Sequence, residues 1–349
     1  MAYTSIKPSD LFRAQLYTGN GSARSITYTE STNMQPGLMW IKSRGHAASW
    51  LSNDEVRGAT KRLKLDLDSA ESTETQMITS FDTNGFSLGT STASNQNGTN
   101  FASYSWKGTG STVTNNDGSI ATTLSANQTA GFSVFTFTGT GSNGTLGHGL
   151  NAVPEMYILK RYDQANNWRV YHKDVGNTHY MTLETNEQQQ SSSGFANNTS
   201  PTSSVISVGN LGSANTNGGS MLCYAFAPKK GYSAFGGYTG NGNANGPFIY
   251  TGFKPAFVVI KVKSGNNNHW FVFDKHRLGY NGANEYIKTD TTDTESSSTN
   301  RIDFLSNGFK CRTANDGVNG NTDTYIYWAM ADEPLVANVG NNGIPATAR

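Results

Sequence analysis

The sequence contains few charged residues and only two cysteines. Lysine, arginine, aspartate and glutamate make up 15% of the 349 residues, and the formal net charge at pH 7 is +1. A chain with so little net charge produces no field that would attract nucleic acid or an anionic membrane surface. Two cysteines are too few for a disulfide framework, so we expect Cys223 and Cys311 to be free thiols.

The sequence also lacks a long apolar segment. Its longest apolar runs, such as residues 257–260, have the length of a strand and fall far short of the roughly 20 residues that a membrane-spanning helix needs. The first ten residues, MAYTSIKPSD, contain no apolar stretch of the kind found in a signal peptide. We therefore expect no membrane insertion, no signal-peptide secretion, and synthesis in a cytoplasm.

Small polar residues are abundant instead. Glycine (38), asparagine (37), serine (36) and threonine (40) together account for 151 residues, or 43% of the chain. These residues are poor in helix interiors, which excludes a largely helical protein. The 17 phenylalanines, 16 tyrosines and 6 tryptophans argue against disorder, because disordered chains contain few aromatic residues. The composition predicts an all-β protein with many short strands and polar loops.

Three stretches of the sequence repeat the same landmarks in the same order. Each begins with an aromatic-Thr-Gly-x-Gly string, continues with a proline-led apolar run that ends in lysine, and then has a tryptophan and a closing aromatic strand. The strings begin at Tyr17, Phe137 and Tyr238; the apolar runs are 36–42, 154–160 and 255–261; the tryptophans are Trp50, Trp168 and Trp270; the closing strands begin at Tyr104, Tyr224 and Tyr327. A period of about 100–120 residues is longer than a solenoid repeat and matches a whole domain.

Each repeat contains about seven or eight strand candidates, which is the number in a β-sandwich. In the first repeat they lie near 24–28, 37–42, 49–52, 62–67, 77–81, 85–88 and 101–106. The continuously apolar runs predict strands buried on both faces, and Asn-Gly at 84–85 and 307–308 predicts tight hairpins.

We therefore predict an all-β fold of three tandem homologous β-sandwich domains. Their boundaries are 1–107, 108–228 (with an extra hairpin near 111–124) and 229–334, followed by a flexible C-terminal tail at 335–349. The junctions between the domains are short, so we expect the three units to pack on one another rather than to hang on flexible linkers.

No catalytic motif is present in the sequence. It has no Gly-x-Ser-x-Gly, no His-Glu-x-x-His, no phosphate-binding loop and no Cys-x-x-Cys. The Gly-x-Gly-x-x-Gly match at 139–144 coincides with a repeat landmark, and we interpret it as a turn. Asp54, Asp174 and Asp274 recur four to six residues after the repeat tryptophans, which is typical of scaffold residues. We expect no enzyme, no catalytic residue and no cofactor.

Metal and ligand sites have only weak candidates. The pairs His172/His179 and His269/His276 are interpreted as ordinary loop or surface histidines, and we predict no metal site. Asp66 with Asp68, and the loops 116–118 and 315–317, could supply oxygen ligands to calcium, although Asn-Asp-Gly is also common turn chemistry. All six tryptophans are expected in the core, and the residues of any binding site stay unknown.

Several stretches of the sequence resemble those of a known family of proteins. These are 238–243 with 251–261, the segments 117–120, 125–127, 129–133 and 147–150, and the closing Tyr-x-Trp/Phe strands. They resemble a recurring unit of virion proteins of marine tailed bacteriophages, which are tail, tail-fibre or other structural proteins. The resemblance covers roughly residues 11–334. It implies a particle component with a jelly-roll or concanavalin-like sandwich, and no catalytic residue comes with it.

The resemblance and the composition lead to one expectation and two alternatives. We expect a structural component of a phage particle, tail or tail-fibre associated, oligomeric and involved in contact with the host surface. Its partners would be copies of itself, other virion proteins and, as a candidate, a host-surface glycan, with no nucleic acid and no membrane insertion. It would be located in the virion after synthesis in the host cytoplasm. The alternatives are a capsid decoration or cement protein and a carbohydrate-binding, lectin-like module.

Overall fold

The structure, a computed structural model, describes residues 6–29, 33–277, 281, 285–297, 300–334, 336–339 and 342–345. Its regular structure is almost entirely β, and the α-helices in these ranges have only four residues each. The prediction of an all-β, sandwich-type fold is confirmed.

The strands fall into three successive units. The first, after a 3-10 turn at Pro8–Asp10, comprises β1 (Phe12–Thr18), β2 (Arg24–Thr27), β3 (Pro36–Ser43), β4 (Leu51–Asp54), β5 (Lys61–Lys64), β6 (Ser72–Thr73), β7 (Ile78–Asp82), β8 (Gly85–Leu88), α1 (Thr92–Asn95) and β9 (Asn100–Lys107). The second comprises β10 (Val113–Asn115), β11 (Thr122–Asn127), β12 (Phe132–Thr138), β13 (Gly144–Gly147), β14 (Met156–Arg161), β15 (Arg169–His172), β16 (His179–Thr182), β17 (Gln190–Ser191), α2 (Ser193–Ala196), β18 (Val205–Val208), α3 (Gly212–Asn215) and β19 (Ser220–Phe226). The third comprises β20 (Ser233–Thr239), β21 (Phe248–Tyr250), β22 (Phe253–Ser264), β23 (Phe271–Asp274), β24 (Ile287–Lys288), β25 (Ile302–Leu305), β26 (Gly308–Cys311), α4 (Asp316–Asn319) and β27 (Thr324–Pro334).

Each unit contains one large and one small antiparallel sheet. The strand orders of the large sheets are β1-β9-β3-β4-β5-β6, β10-β11-β12-β19-β14-β15-β16-β17 and β20-β27-β22-β23-β24. Those of the small sheets are β2-β8-β7, β13-β18 and β21-β26-β25. Three hydrophobic clusters, one in each unit, join side chains of the large sheet to side chains of the small sheet. Each unit is therefore a two-layer sandwich.

The large sheets are buried on their second face as well. All eight residues of β3 are buried, and the same is true of the apolar parts of β14 and β22. The reason is one further cluster, which collects side chains from all three large sheets, among them Trp40, Trp106, Phe226, Phe257 and Trp328. The prediction that these runs form doubly buried strands is confirmed, and so is the packing of the units on one another. Whether each unit folds as a separate domain stays a prediction.

The structure adds details that sequence patterns did not provide. Strand β1 begins at Phe12, before the first landmark, and pairs along its whole length with β9. The β7–β8 hairpin turns through Thr83 and Asn84, because Asp82 pairs with Gly85, so the predicted hairpin exists but its turn begins one residue earlier than Asn-Gly. Gly85 has a φ of +129°, and a Cβ there would lie 2.0 Å from the carbonyl oxygen of Ile26, which explains the glycine.

Two predicted segments at domain edges contain strands. The extra hairpin expected near 111–124 is β10 paired with β11, and it extends the second large sheet. In the C-terminal segment, β28 (Val336–Val339) and β29 (Asn342–Pro345) pair as a hairpin. The flexibility of that segment stays a prediction.

The aromatic-Thr-Gly-x-Gly landmarks are loops held by buried asparagines. Asn95, Asn215 and Asn319 end the short helices α1, α3 and α4, and their Oδ1 atoms accept hydrogen bonds from the loop amides of Asn20 (3.0 Å), Thr140 (2.8 Å) and Asn241 (2.8 Å). The first glycine of each loop has no room for a side chain, because a Cβ would lie 2.1–2.2 Å from a carbonyl oxygen. The 139–144 match is therefore a turn, as predicted.

Candidate contact surface

The repeat tryptophans and lysines connect the three units in cyclic order. Each tryptophan Nε1 donates a hydrogen bond to a carbonyl oxygen of another unit: Trp50 to Lys288 (2.7 Å), Trp168 to Lys64 (2.9 Å) and Trp270 to Thr182 (3.0 Å). The lysines that end the apolar runs do the same: Lys42 to Thr292 (3.1 Å), Lys160 to Asp68 (2.8 Å) and Lys261 to Thr185 (3.4 Å). The first unit thus contacts the third, the second the first, and the third the second, so the units surround the shared core as a ring.

Two of the three junctions contain a buried ion pair that a tyrosine of the adjacent unit completes. At one junction, Arg57 Nε donates to Asp54 Oδ2 (2.7 Å), and the Tyr224 hydroxyl donates to the same oxygen (2.9 Å). At another, Asp274 is paired with Arg277, and the Tyr104 hydroxyl donates to Asp274 Oδ2 at 2.6 Å. Burial alone would raise the pKa of Asp274, but the Arg277 charge and the hydrogen bonds from Tyr104 and Arg277 hold that pKa below its ordinary value.

The third junction replaces all three of these residues. His172 pairs with Met156 in the register in which Asp54 pairs with Leu38, so His172, and not Asp174, occupies the aspartate position of the second unit. The sequence alignment of Asp174 with Asp54 and Asp274 was wrong by two residues, because Asp174 lies six residues after Trp168, whereas Asp54, His172 and Asp274 each lie four residues after their tryptophans. Val175 replaces the arginine, and Trp328 replaces the tyrosine. His172 Nε2 donates to the Tyr327 carbonyl oxygen (3.1 Å), so a neutral hydrogen bond occupies the position that the buried ion pair has at the other two junctions.

We expect the stability of the protein to fall as the pH decreases from about 6.5, in part because of His172. Burial lowers the pKa of His172 to about 3, below its ordinary value near 6.5. Between about pH 6.5 and 3, the unfolded chain therefore binds a proton that the folded chain does not. The contribution of neutral His172 to the free energy of unfolding is complete above pH 6.5 and is lost as the pH falls toward 3. In this pH range, His172 changes the free energy of unfolding by up to about 1.4 kcal/mol per pH unit. Urea unfolding at several pH values should show that the free energy of unfolding depends less steeply on pH in His172→Asn, which has no titrating ring, than in the wild type. Equal pH dependence in the two proteins would contradict the role given to His172.

The candidate metal ligands of the sequence are engaged in structural contacts. Asp66 Oδ1 accepts the Trp50 amide (2.9 Å), and Asn315 Oδ1 caps α4 by accepting the Gly317 amide (2.9 Å). The interpretation of His172 as a loop or surface histidine was wrong, because His172 lies buried on β15 at a junction, whereas His269 hydrogen-bonds to Asp290. Among the residues that the structure describes, no group of three His, Cys, Asp or Glu side chains is placed to hold a metal ion. Cys223 and Cys311 are free and buried, and all six tryptophans are in the core, as predicted.

A groove of about 370 Å³ lies where the first unit meets the segment that leads to the second. Its charged group is Glu55, whose carboxylate accepts the amides of Thr109 (3.1 Å) and Gly110 (2.9 Å) and the Ser125 hydroxyl. Burial raises the pKa of this carboxyl. These bonds fasten the connecting segment and the added hairpin to the first unit, which gives Glu55 a structural role.

An aromatic pair stands out on the outer face of the third small sheet. Phe248 and Tyr250 lie on β21, at the edge of that sheet, and are 45% and 60% exposed, whereas Ile249 between them is buried. Side chains two residues apart on a strand point to the same face. Within the described part of the chain, neither ring packs against another aromatic ring in the way that the core aromatics do. The pair is therefore presented to the outside.

The other two units have small residues at the same positions. Ile249 pairs with Phe309, just as Ile26 pairs with Phe86 and Leu146 with Ile206. This register aligns Phe248 with Ser25 and Thr145, and Tyr250 with Thr27 and Gly147. The first and second units thus form the same sandwich without aromatic residues at these positions, so the fold does not require the pair. Sequence reasoning missed it, because the strand carries no repeat landmark and only its register with β26 reveals the replacement.

The fold and this surface define the class of protein: an all-β, sandwich-type protein with an exposed aromatic pair on the edge strand β21. The chain belongs to the family described as a domain of unknown function (DUF7483), whose model matches residues 7–334. No curated protein and no solved structure matches it. In the described residues, no helix has the length and apolar character needed to cross a membrane.

Proposed function

We propose that this protein is a structural component of a phage particle, associated with the tail or a tail fibre, and that it contacts the host surface through Phe248 and Tyr250. The observation that carries the contact role is the exposed pair itself, which replaces small residues of the other two units. Exposed aromatic side chains are common anchors of binding surfaces. The particle role rests on the similarity of the repeats to virion proteins of tailed phages.

The shared core supports this role because it provides a rigid scaffold for the contact surface. Hydrogen bonds between the units form a closed cycle. When the scaffold beneath a binding surface is already fixed, binding costs less conformational entropy, and the affinity is higher. Two of the junctions also contain buried ion pairs that require an accurate fit between the units.

Localisation of the protein in purified particles tests the particle role. We expect electron cryomicroscopy of particles, with labelling by an antibody to this chain, to find a small number of copies at the tail. Density that follows the icosahedral lattice of the head would support a decoration protein instead. Absence from intact particles would contradict the proposal and leave a lectin-like module acting alone.

A further inference from the structure

We infer that the surface formed by Phe248 and Tyr250 binds a saccharide, whose apolar ring face stacks on the two aromatic side chains. This inference rests on the proposed function, since it names the ligand of the same contact surface. The C–H groups on one face of a pyranose carry partial positive charge, whereas the face of an aromatic ring is negative. The two rings, about 6.6 Å apart along the strand, offer such faces side by side.

The size of the surface favours a small ligand over a protein. A fully buried aromatic side chain covers roughly 150–250 Å², and about half of each ring is exposed here. The pair therefore presents on the order of 200 Å², whereas a stable protein interface needs about 800 Å² from each partner. A second copy of this chain, or another protein held by these rings alone, would have too little surface to bury.

The strand opposite the pair leaves room for a ligand. Tyr250 pairs with Gly308, which has no side chain to cover the tyrosine ring. A Cβ at position 308 would lie 3.1 Å from Phe248 Cε2, so the phenylalanine ring extends over this glycine. Gly308 thereby allows the two rings to lie against the sheet as a platform.

Polar groups lie on the strands that pair beside the platform and in the loop that leads into β21, and a hydroxyl-rich ligand requires such groups. Lys310 pairs with Phe248 across the sheet, and Asp303 pairs with Lys310 and forms an ion pair with Arg312 at 3.1 Å. The loop that leads into β21 exposes Asn243 and Asn245. Ammonium, guanidinium, carboxylate and amide groups provide both donors and acceptors for sugar hydroxyls.

Binding at a single site should be weak. Two stacked rings with a few exposed hydrogen bonds correspond to a dissociation constant on the order of 1 mM. Several copies on one particle would raise the apparent affinity by about two orders of magnitude or more. Weak single sites and strong particle binding are therefore compatible.

Saturation-transfer NMR on the full chain tests the inference. The probes are oligomers of glucose, galactose, mannose, N-acetylglucosamine and galacturonic acid, each at about 5 mM, a concentration suited to the expected affinity. We expect transfer to at least one probe. The double variant F248S/Y250T installs the residues of the first unit, so it should fold normally and lose at least about tenfold in affinity. The single variant Y250T, with an intermediate loss, provides a second measurement that disturbs the surface less.

A matched control is Val113→Ser, which removes another exposed apolar side chain (59% exposed) and should leave binding unchanged. No transfer to any probe, or equal transfer with the wild type and F248S/Y250T, would overturn the saccharide inference. The protein could still be located at the phage tail, in which case the proposed particle role stands. Conversely, saccharide binding by a protein that is absent from particles would support the saccharide inference and contradict the proposed particle role.

Discussion

Replacing Arg57 by valine is expected to lower the free energy of unfolding by about 3–5 kcal/mol. The side chains of Arg57 and Asp54 are 3% and 0% exposed, so the variant leaves a carboxylate buried at the junction of the first two units without its counter-charge. Arg57 also pairs with Glu71 at 2.9 Å, which loses its partner too. Urea unfolding followed by tryptophan fluorescence measures the loss.

The third junction supplies the matched variant. The triple replacement D54H/R57V/Y224W installs the residues found at 172, 175 and 328. Because a well-packed apolar set often replaces a buried ion pair at little cost, we expect the triple variant to be more stable than R57V alone. Lys173→Ala removes a partly exposed pair with Glu155 and should cost less than about 1 kcal/mol. An R57V loss as small as that of K173A would contradict a structural role for the buried pair.

Replacing Trp328 by alanine is expected to cost about 3–5 kcal/mol and to weaken all three units together. Its ring lies 5.1 Å from that of Trp106 in the first unit and 4.6 Å from that of Phe226 in the second. The cavity would therefore open in the core that the units share. We expect one unfolding transition at lower urea concentration, together with faster amide exchange in β9 and β19 as well as in β27.

Trp328→Phe is the control for this variant. It keeps an aromatic ring against Trp106 and Phe226 and should lose clearly less stability than the alanine variant. Two separate transitions, with the first and second units unfolding as in the wild type, would mean that the shared core does not couple the units.

Much of the architecture could be predicted from local patterns. The doubly buried strands were visible because their apolar runs do not alternate, and the hairpins because asparagine and glycine tolerate positive φ. The buried positions of the tryptophans followed from the recurrence of three of them in each repeat and from the apolar run and closing strands that contain the other three. These features depend on neighbouring residues in the chain, which is the information that a sequence displays directly.

The junctions could not be predicted, because their residues are far apart in sequence. Lys42 ends an apolar run, yet its ammonium group binds a carbonyl oxygen of the third unit, and burial lowers its pKa to about 8. The exchange of aspartate for His172 became recognisable only when strand register aligned the units. Phe248 and Tyr250 carry no repeat landmark, so only the structure shows that they lie exposed on an outer face.

If Phe248 and Tyr250 form the host-contact surface, the isolated protein should compete with the phage for adsorption to host cells. Purified wild-type protein, added to host cells before the phage, should slow particle adsorption in a concentration-dependent way. The F248S/Y250T variant, folded to the same stability, should have at least about tenfold less effect. Equal inhibition by the two proteins, or none by the wild type, would contradict the claim.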